Sequence, residues 1–148
     1  MTEKFPLDDI DRKIISYLKV NSKTKLTTLS KKLNIPVSTI HTRIKKLEKE
    51  GIIKKYTIEI DYKKIGYEIQ TFILIKYDAN SIKTQRDLLK ELLRLPNVDK
   101  GYIITGEWDI LLMCRFQTID DLSRFILDRL RNIGGVKETY TLVVLQEE

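Results

Sequence analysis

The hydrophobic pattern of this chain changes period once, and that change fixes its architecture. From Asp8 to Gly51 apolar residues return at every third or fourth position. Beyond Tyr56 they return at every second position or run on continuously, with two helical stretches between. Spacing near 3.6 marks amphipathic helices and alternation marks strands. A chain of 148 residues read this way holds a small helical module followed by a mixed one.

The helical module has three parts. Residues 8–20 form the first helix: Asp8 caps it, Asp11 sits in its first turn, and Ile10, Ile14, Tyr17 and Leu18 share one face. The segment Leu26–Leu33 forms a second, with Leu26, Leu29, Ser30 and Leu33 inward. Asn34 follows, the non-glycine residue best suited to the left-handed conformation that ends a helix in a tight turn. Pro36 then opens a third helix, residues 37–50, which stops at Gly51 and turns Ile40, Ile44 and Leu47 inward.

The outward face of that third helix carries Ser38, Thr39, His41, Thr42, Arg43, Lys45, Lys46 and Lys49. Charge gathers in the same half. Residues 1–63 hold 15 Lys/Arg against 8 Asp/Glu, a net +7, whereas residues 64–148 hold 12 against 13, a net −1. Two short helices, a turn and a cationic helix are the helix-turn-helix arrangement, and the third helix fits a B-DNA major groove. Ser38, Thr39, Thr42 and His41 would meet base edges. Arg43, Lys45, Lys46 and Lys49 would meet phosphates, eight contacts per dimer and a log–log salt slope of about −7. A basic helix that is merely solvated is the plainer alternative.

These residues resemble the DNA-binding end of the Lrp/AsnC (feast/famine) transcription regulators. The likeness rests on LDDIDRKII with its Asp8, Asp9 and Asp11, on Leu29-Ser30-Lys31-Lys32-Leu33, on Ser38-Thr39-Ile40, and on Arg43-Ile44 with Leu47 and Gly51. Two positions depart from the family pattern: Asn34 stands at the usual turn glycine, and Pro36 at the usual capping serine. The second removes a capping hydrogen bond at the start of the third helix.

Residues 55–62 alternate strictly, with Tyr56, Ile58, Ile60 and Tyr62 on one side, and read as a half-buried strand. The resemblance makes this a connector that pairs with its counterpart in a second subunit. Beyond it the order is strand (69–77), helix (81–94), strand (98–105), strand (109–117), helix (119–132) and strand (136–145). That is the ferredoxin-like split unit. Ile82, Leu88, Leu89 and Leu92 form the inward stripe of one helix; Ile119, Leu122, Ile126 and Leu130 form that of the other.

The strands are apolar on both sides. Phe72 and Leu74 oppose Ile73 and Ile75, while Leu142 and Val144 oppose Val143 and Leu145. Two helices cover one face of a four-stranded sheet, so the other needs its own cover, and a second copy of the sheet is the simplest. The expected fold is therefore α+β: an N-terminal helix-turn-helix (winged-helix-like) domain over 1–54, a connecting strand over 55–66, and a C-terminal ferredoxin-like βαββαβ domain over 67–148 that dimerises through its sheet. The resemblance adds that family members often build tetramers of dimers.

Thr105-Gly106-Glu107-Trp108-Asp109 sits between the central strands. A tight hairpin with Gly106 at positive φ accounts for its geometry. Two carboxylates and an indole at one turn are nonetheless unusual, and the run is similar to the family's Gly-Asp/Glu-Tyr/Trp-Asp loop. The resemblance implies an effector site there, for a small molecule such as an amino acid, built from Thr105, Gly106, Glu107, Trp108 and Asp109 with Tyr102 and Tyr140 beside them. The alternative use of Trp108 is packing at an oligomer contact.

Composition excludes several classes. One Cys and one His cannot build a structural zinc site, and Cys114 has no disulfide partner, which fits a reducing cytoplasm. No apolar run nears the roughly 18 residues of a membrane span, and MTEKFPLDD lacks a signal-peptide pattern. The six glycines match no phosphate-binding loop, and His41 is the only histidine that a catalytic triad could use. Neither a metal nor a cofactor is expected. The combination of modules also resembles the sirohaem decarboxylases, but those depend on pocket histidines and residues 64–148 contain none. A sequence-specific regulator, with double-stranded DNA as partner, is the favoured reading. An architectural DNA-wrapping protein without an effector is the alternative.

Overall fold

The computed structural model describes residues 4–148, which fall into two compact units, one ending at Glu59 and the other beginning at Ile60. The division lies inside the segment expected to connect the domains.

In the first unit, α1 (Asp9–Val20) begins with a reciprocal capping box. The Asp8 carboxylate accepts the Asp11 N–H at 2.8 Å, and the Asp11 carboxylate accepts the Asp8 N–H at 3.3 Å. α2 (Leu26–Leu33) ends at Asn34, whose φ of 54° and ψ of 48° lie in the expected left-handed region. The turn is closed by Ser30, whose hydroxyl donates to the Ile35 carbonyl at 2.6 Å. α3 (Val37–Lys49) follows Pro36 with no side-chain cap. Ile14, Leu29, Ile40, Ile44 and Leu47 are buried where the three helices meet. The spacing of apolar residues thus becomes a core, and the polar face of α3 is left outside.

The strand expected over residues 55–62 does not form: these residues have no ladder partner, and Tyr56, Ile58 and Ile60 are exposed. Alternation records two unlike environments along a segment, and here Ile58 and Ile60 meet solvent. A strand also needs a neighbour to accept its N–H groups.

The second unit opens with a short 3₁₀ turn, Lys63–Ile65, closed by Gly66 at φ 93°. Then follow β1 (Ile69–Tyr77), α4 (Gln85–Leu92), β2 (Val98–Ile103), β3 (Ile110–Phe116), α5 (from Ile119) and β4 (Val136–Val143). The sheet order is β2-β3-β1-β4 and every neighbouring pair is antiparallel, which is the ferredoxin-like arrangement. One face is packed: Ile73 and Ile75 of β1 and Ile110, Leu112, Cys114 and Phe116 of β3 lie against Leu88, Leu92, Leu122, Phe125 and Leu130 of the helices. The sequence expects an inert, buried Cys114, and burial, with Asp99 adding to it, pushes its thiol up to about 12.

Both helices differ from expectation in detail. α4 starts four residues late because Asn80 and Lys83 give their N–H groups to the Asp78 and Ser81 side chains, and Thr84 then caps the helix. These local bonds compete with helix formation and leave Ile82, expected in the inward stripe, fully exposed. α5 is α-helical only over Ile119–Arg124, passes through a π turn over Phe125–Arg129 and ends as a 3₁₀ turn over Leu130–Asn132. The extra residue in the π turn brings both Phe125 and Leu130 inward, whereas Ile119 stays exposed.

The opposite sheet face carries Phe72 and Leu74 from β1, Leu111 and Met113 from β3, Tyr102 from β2, and Tyr140 and Leu142 from β4. Register places Tyr102, Leu111, Leu74 and Tyr140 in one row across all four strands. Among the described residues no helix covers this face, and all of these side chains are half-buried or exposed. No helix is long and apolar enough to cross a membrane among the described residues.

Candidate nucleic-acid interface and effector loop

Helical geometry spreads the eight named residues of α3 over its solvent side. Ser38, Thr42, Lys45 and Lys49 stand opposite the buried stripe, with His41 on one flank and Thr39, Arg43 and Lys46 on the other. A shallow concavity of about 460 Å³ gathers Ser38, Thr39, Thr42, Arg43 and Lys46 with Pro6, Asp8 and Asp11 from the start of α1. His41, Lys45 and Lys49 are exposed but lie outside it. Thr42 already donates its hydroxyl to the Ser38 carbonyl at 2.9 Å, so its oxygen remains free to accept. Lys45 reaches Glu48 at 3.5 Å, and Glu48 also accepts from the Tyr56 hydroxyl at 2.8 Å.

Arg43 is already paired within the unit. Its Nη1 donates to both Asp8 and Asp11, the latter at 3.1 Å, so the guanidinium is held by two carboxylates rather than presented to solvent as a loose cation. The Arg43 bond is the first cause holding the Asp8 carboxyl below its ordinary range, and the Asp11 N–H is the second. The same two carboxylates raise Arg43 in turn. Sign of charge was readable from sequence. A partner more than thirty residues away was not.

In the second unit, residues 104–109 join β2 to β3. Gly106 sits at φ 118°, as its place in the hairpin requires, and a Cβ there would meet nothing. The loop is pinned at one end. The Ile104 N–H donates to the Asp109 carbonyl at 2.9 Å, and the Asp109 N–H donates to Ile75 at 3.0 Å. The Asp109 carboxylate accepts the Tyr77 N–H at 2.8 Å, so it is a clip to β1. The Lys76 ammonium donates to the Glu107 carbonyl. Neither Lys76 nor Tyr77 carries a sequence signal for this role. Glu107 extends into solvent with Thr105 and Gly106, while Trp108 is half-buried and packs on Tyr140 with ring centroids 5.9 Å apart. Of the expected effector residues, Trp108 and Tyr140 are thus brought together. Tyr102 stands at the far end of the row that Tyr140 begins. No group of three or more metal-ligating side chains occurs among the described residues.

A cationic helix on a trihelical core, followed by a ferredoxin-like unit with a shaped loop, defines a DNA-binding transcriptional regulator of the helix-turn-helix class. Comparison with known proteins agrees for each unit. A family model described as winged helix-turn-helix DNA-binding matches residues 7–54, and one described as the Lrp/AsnC ligand binding domain matches residues 70–148. An uncharacterized HTH-type transcriptional regulator of Pyrococcus horikoshii is 44% identical over 137 residues, covering 93% of this chain and 91% of that one. The structure of E. coli AsnC matches with a TM-score of 0.86 at 31% identity over 97% of this chain and 95% of that one. A transcriptional regulator of Neisseria meningitidis, solved as an L-Met complex, matches with a TM-score of 0.90 at 28% identity over 96% and 92%. The chain belongs to the Lrp/AsnC family of transcriptional regulators. Its family and relatives are regulators, not enzymes.

Proposed function

We propose that this regulator binds an inverted-repeat operator as a dimer, placing one α3 in the major groove of each half-site, and that a small zwitterion such as an amino acid modulates it through the 105–109 loop. The observation that carries the DNA reading is the outward centre of α3, where Ser38 and Thr42 lie between cations and no apolar side chain intrudes. Ser38, Thr39, Thr42 and His41 read bases; Lys45, Lys46 and Lys49 meet phosphates. Dimerisation rests on the uncovered row of Tyr102, Leu111, Leu74 and Tyr140 with Phe72, Met113 and Leu142 around it. An apolar area of this kind on a sheet is an association surface, and a two-fold axis lets one patch cover itself.

For the effector, Glu107 is the free carboxylate of the pair and suits an ammonium group, since Asp109 is already engaged by Tyr77. No acceptor in the chain takes the N–H groups of Gly106, Glu107 or Trp108 among the described residues, which leaves them for a carboxylate. The L-Met complex of the Neisseria relative supports this class of ligand. Assembly into tetramers of dimers would let such a ligand change the spacing of the reading heads, provided it binds one assembly more tightly than another.

Selection from a random DNA pool at two salt concentrations tests the reading. A recovered inverted repeat supports it. With three lysines per subunit on phosphates, six per dimer, the log–log salt slope is about −5. Random or merely A/T-rich sequence with cooperative coverage would replace it with the architectural reading.

A further inference from the structure

The start of α1 and the middle of α3 are joined by one hydrogen-bonded network whose four carboxylate oxygens are all assigned. Asp8 Oδ1 accepts the Asp11 N–H, and Asp11 Oδ2 accepts the Asp8 N–H. The second oxygen of each, Asp8 Oδ2 and Asp11 Oδ1, accepts from Nη1 of Arg43. The capping box of the first helix and the clip on the third therefore share the same two carboxylates, each giving one oxygen to the cap and the other to Arg43. Neither half can be rearranged without disturbing the other.

Charge and burial both bear on what the clip does. Asp11 is almost fully buried at 6% exposure, and the side chain of Arg43 is only 28% exposed. Two carboxylates face one guanidinium, so the cluster is net negative where a phosphate would have to approach. A phosphate recruited to Arg43 must compete with partners already in contact and is repelled by them. The concavity beside the cluster is lined by Ser38, Thr39, Thr42 and Lys46, so Arg43 stands next to the reading residues on the side away from His41.

From this geometry, and resting on the reading of α3 as the DNA-reading helix, we propose that Arg43 is a positioning residue. Asp8 and Asp11 use it to fix the angle and register at which α3 presents Ser38, Thr39 and Thr42, and it is not one of the phosphate contacts. Sequence specificity then depends on two acidic residues that never touch DNA. Their presence on a face that binds a polyanion would otherwise be a liability.

The two roles for Arg43 differ in sign for the variant Asp8→Asn. Asparagine keeps the helix cap, because it is as good a capping residue as aspartate, and it replaces the oxygen that accepts from Arg43 with an NH2 group, removing both the charge and the acceptor. Under the positioning role, full-length Asp8→Asn binds the selected operator about tenfold more weakly, the low end of one lost base contact. Its affinity for random duplex should stay within about twofold of the parent, and the salt slope should be unchanged. Arg43→Ala should behave alike, and the double variant should bind no worse than Arg43→Ala alone, since both changes open one network.

Tighter binding of Asp8→Asn to operator and random duplex alike would overturn the proposal, since that is the result of releasing a phosphate ligand. So would an Arg43→Ala slope shallower by about 0.9 per subunit, the signature of a lost phosphate contact. A purely structural role for the clip would lower the melting temperature and leave the ratio of operator to random affinity intact, which would also refute positioning. Failure of the parent protein to select any operator would instead count against the reading of α3, and that outcome is visible before any variant is made.

Discussion

Replacing Thr71 with valine should stabilise the C-terminal unit, an outcome opposite in sign to that of most substitutions in a core. Thr71 lies on the packed face of β1, opposite Cys114 on β3 and Val143 on β4, and is fully buried. Its Oγ1 is the one buried side-chain oxygen or nitrogen without a hydrogen-bond partner among the described residues. A buried, unpaired hydroxyl costs about 1–3 kcal/mol, and exchange for a methyl of the same shape removes that cost. Valine also keeps the β-branched shape that suits a strand. For a unit of about 90 residues, each kcal/mol moves the midpoint by roughly 4–8 °C, so a rise of at least about 4 °C is expected. The assay is thermal unfolding followed by far-ultraviolet circular dichroism, with Thr71→Ser as the control. Serine keeps the hydroxyl and loses a methyl, and should lower stability by about 0.8 kcal/mol. A valine variant no more stable than the parent would refute the reasoning and point to a buried water that satisfies the hydroxyl.

Three further outcomes can be checked together. Because the folded state holds the Asp8 carboxyl below its ordinary value of 3.8, its ion pair stabilises the N-terminal unit above that pH and is lost as pH falls toward the depressed value; acid titration of the parent against Asp8→Asn should show the difference confined to that window. Gly106→Val meets no neighbour but forces a branched residue to φ 118°, a strain of about 1–3 kcal/mol in the loop alone; ligand response or higher assembly should fail by titration and light scattering while dimeric DNA binding persists, and an intact response would remove the loop from the site. Ser38→Ala and Thr42→Ala should each relax base preference at one half-site position by about 1–3 kcal/mol, with Thr42 favouring a base that offers a donor; repeated selection that returns the parent motif would show that neither reads bases.

What could be read from sequence was whatever local chemistry decides. Asp8 as cap, Asn34 in the left-handed turn, Gly106 at positive φ and the inward stripe of Ile40, Ile44 and Leu47 all follow from a residue and its near neighbours. The two-faced strands were legible too, since the face away from the helices does carry Phe72, Leu74, Leu111 and Leu142. Features set by competition or by distance were not legible. Ile82 looks helical by spacing, yet the Asp78 and Ser81 side chains take the backbone bonds that a longer helix would need. The π turn of α5 exists because Phe125 and Leu130 both fill the core, a requirement of packing rather than propensity. The sequence does not show that Arg43 is paired, because Asp8 and Asp11 lie more than thirty residues away, nor that the Asp109 carboxylate is engaged, because Tyr77 is 32 residues away. Residues 55–62 alternate as a strand would, yet no strand pairs with them among the described residues.

Trp108 is the single tryptophan among 148 residues, and it stands half-buried against Tyr140 in the 105–109 loop. The chain therefore carries its own optical reporter, placed in the loop proposed to take the effector. Indole emission selected away from the seven tyrosines comes from one place, so a shift in its colour or yield on adding an amino acid is local by construction. Dilution that separates subunits would move the same signal if the ring is covered in the assembly. Occupancy and association can then be followed on unlabelled protein, in the same cuvette, with the DNA-reading helix untouched.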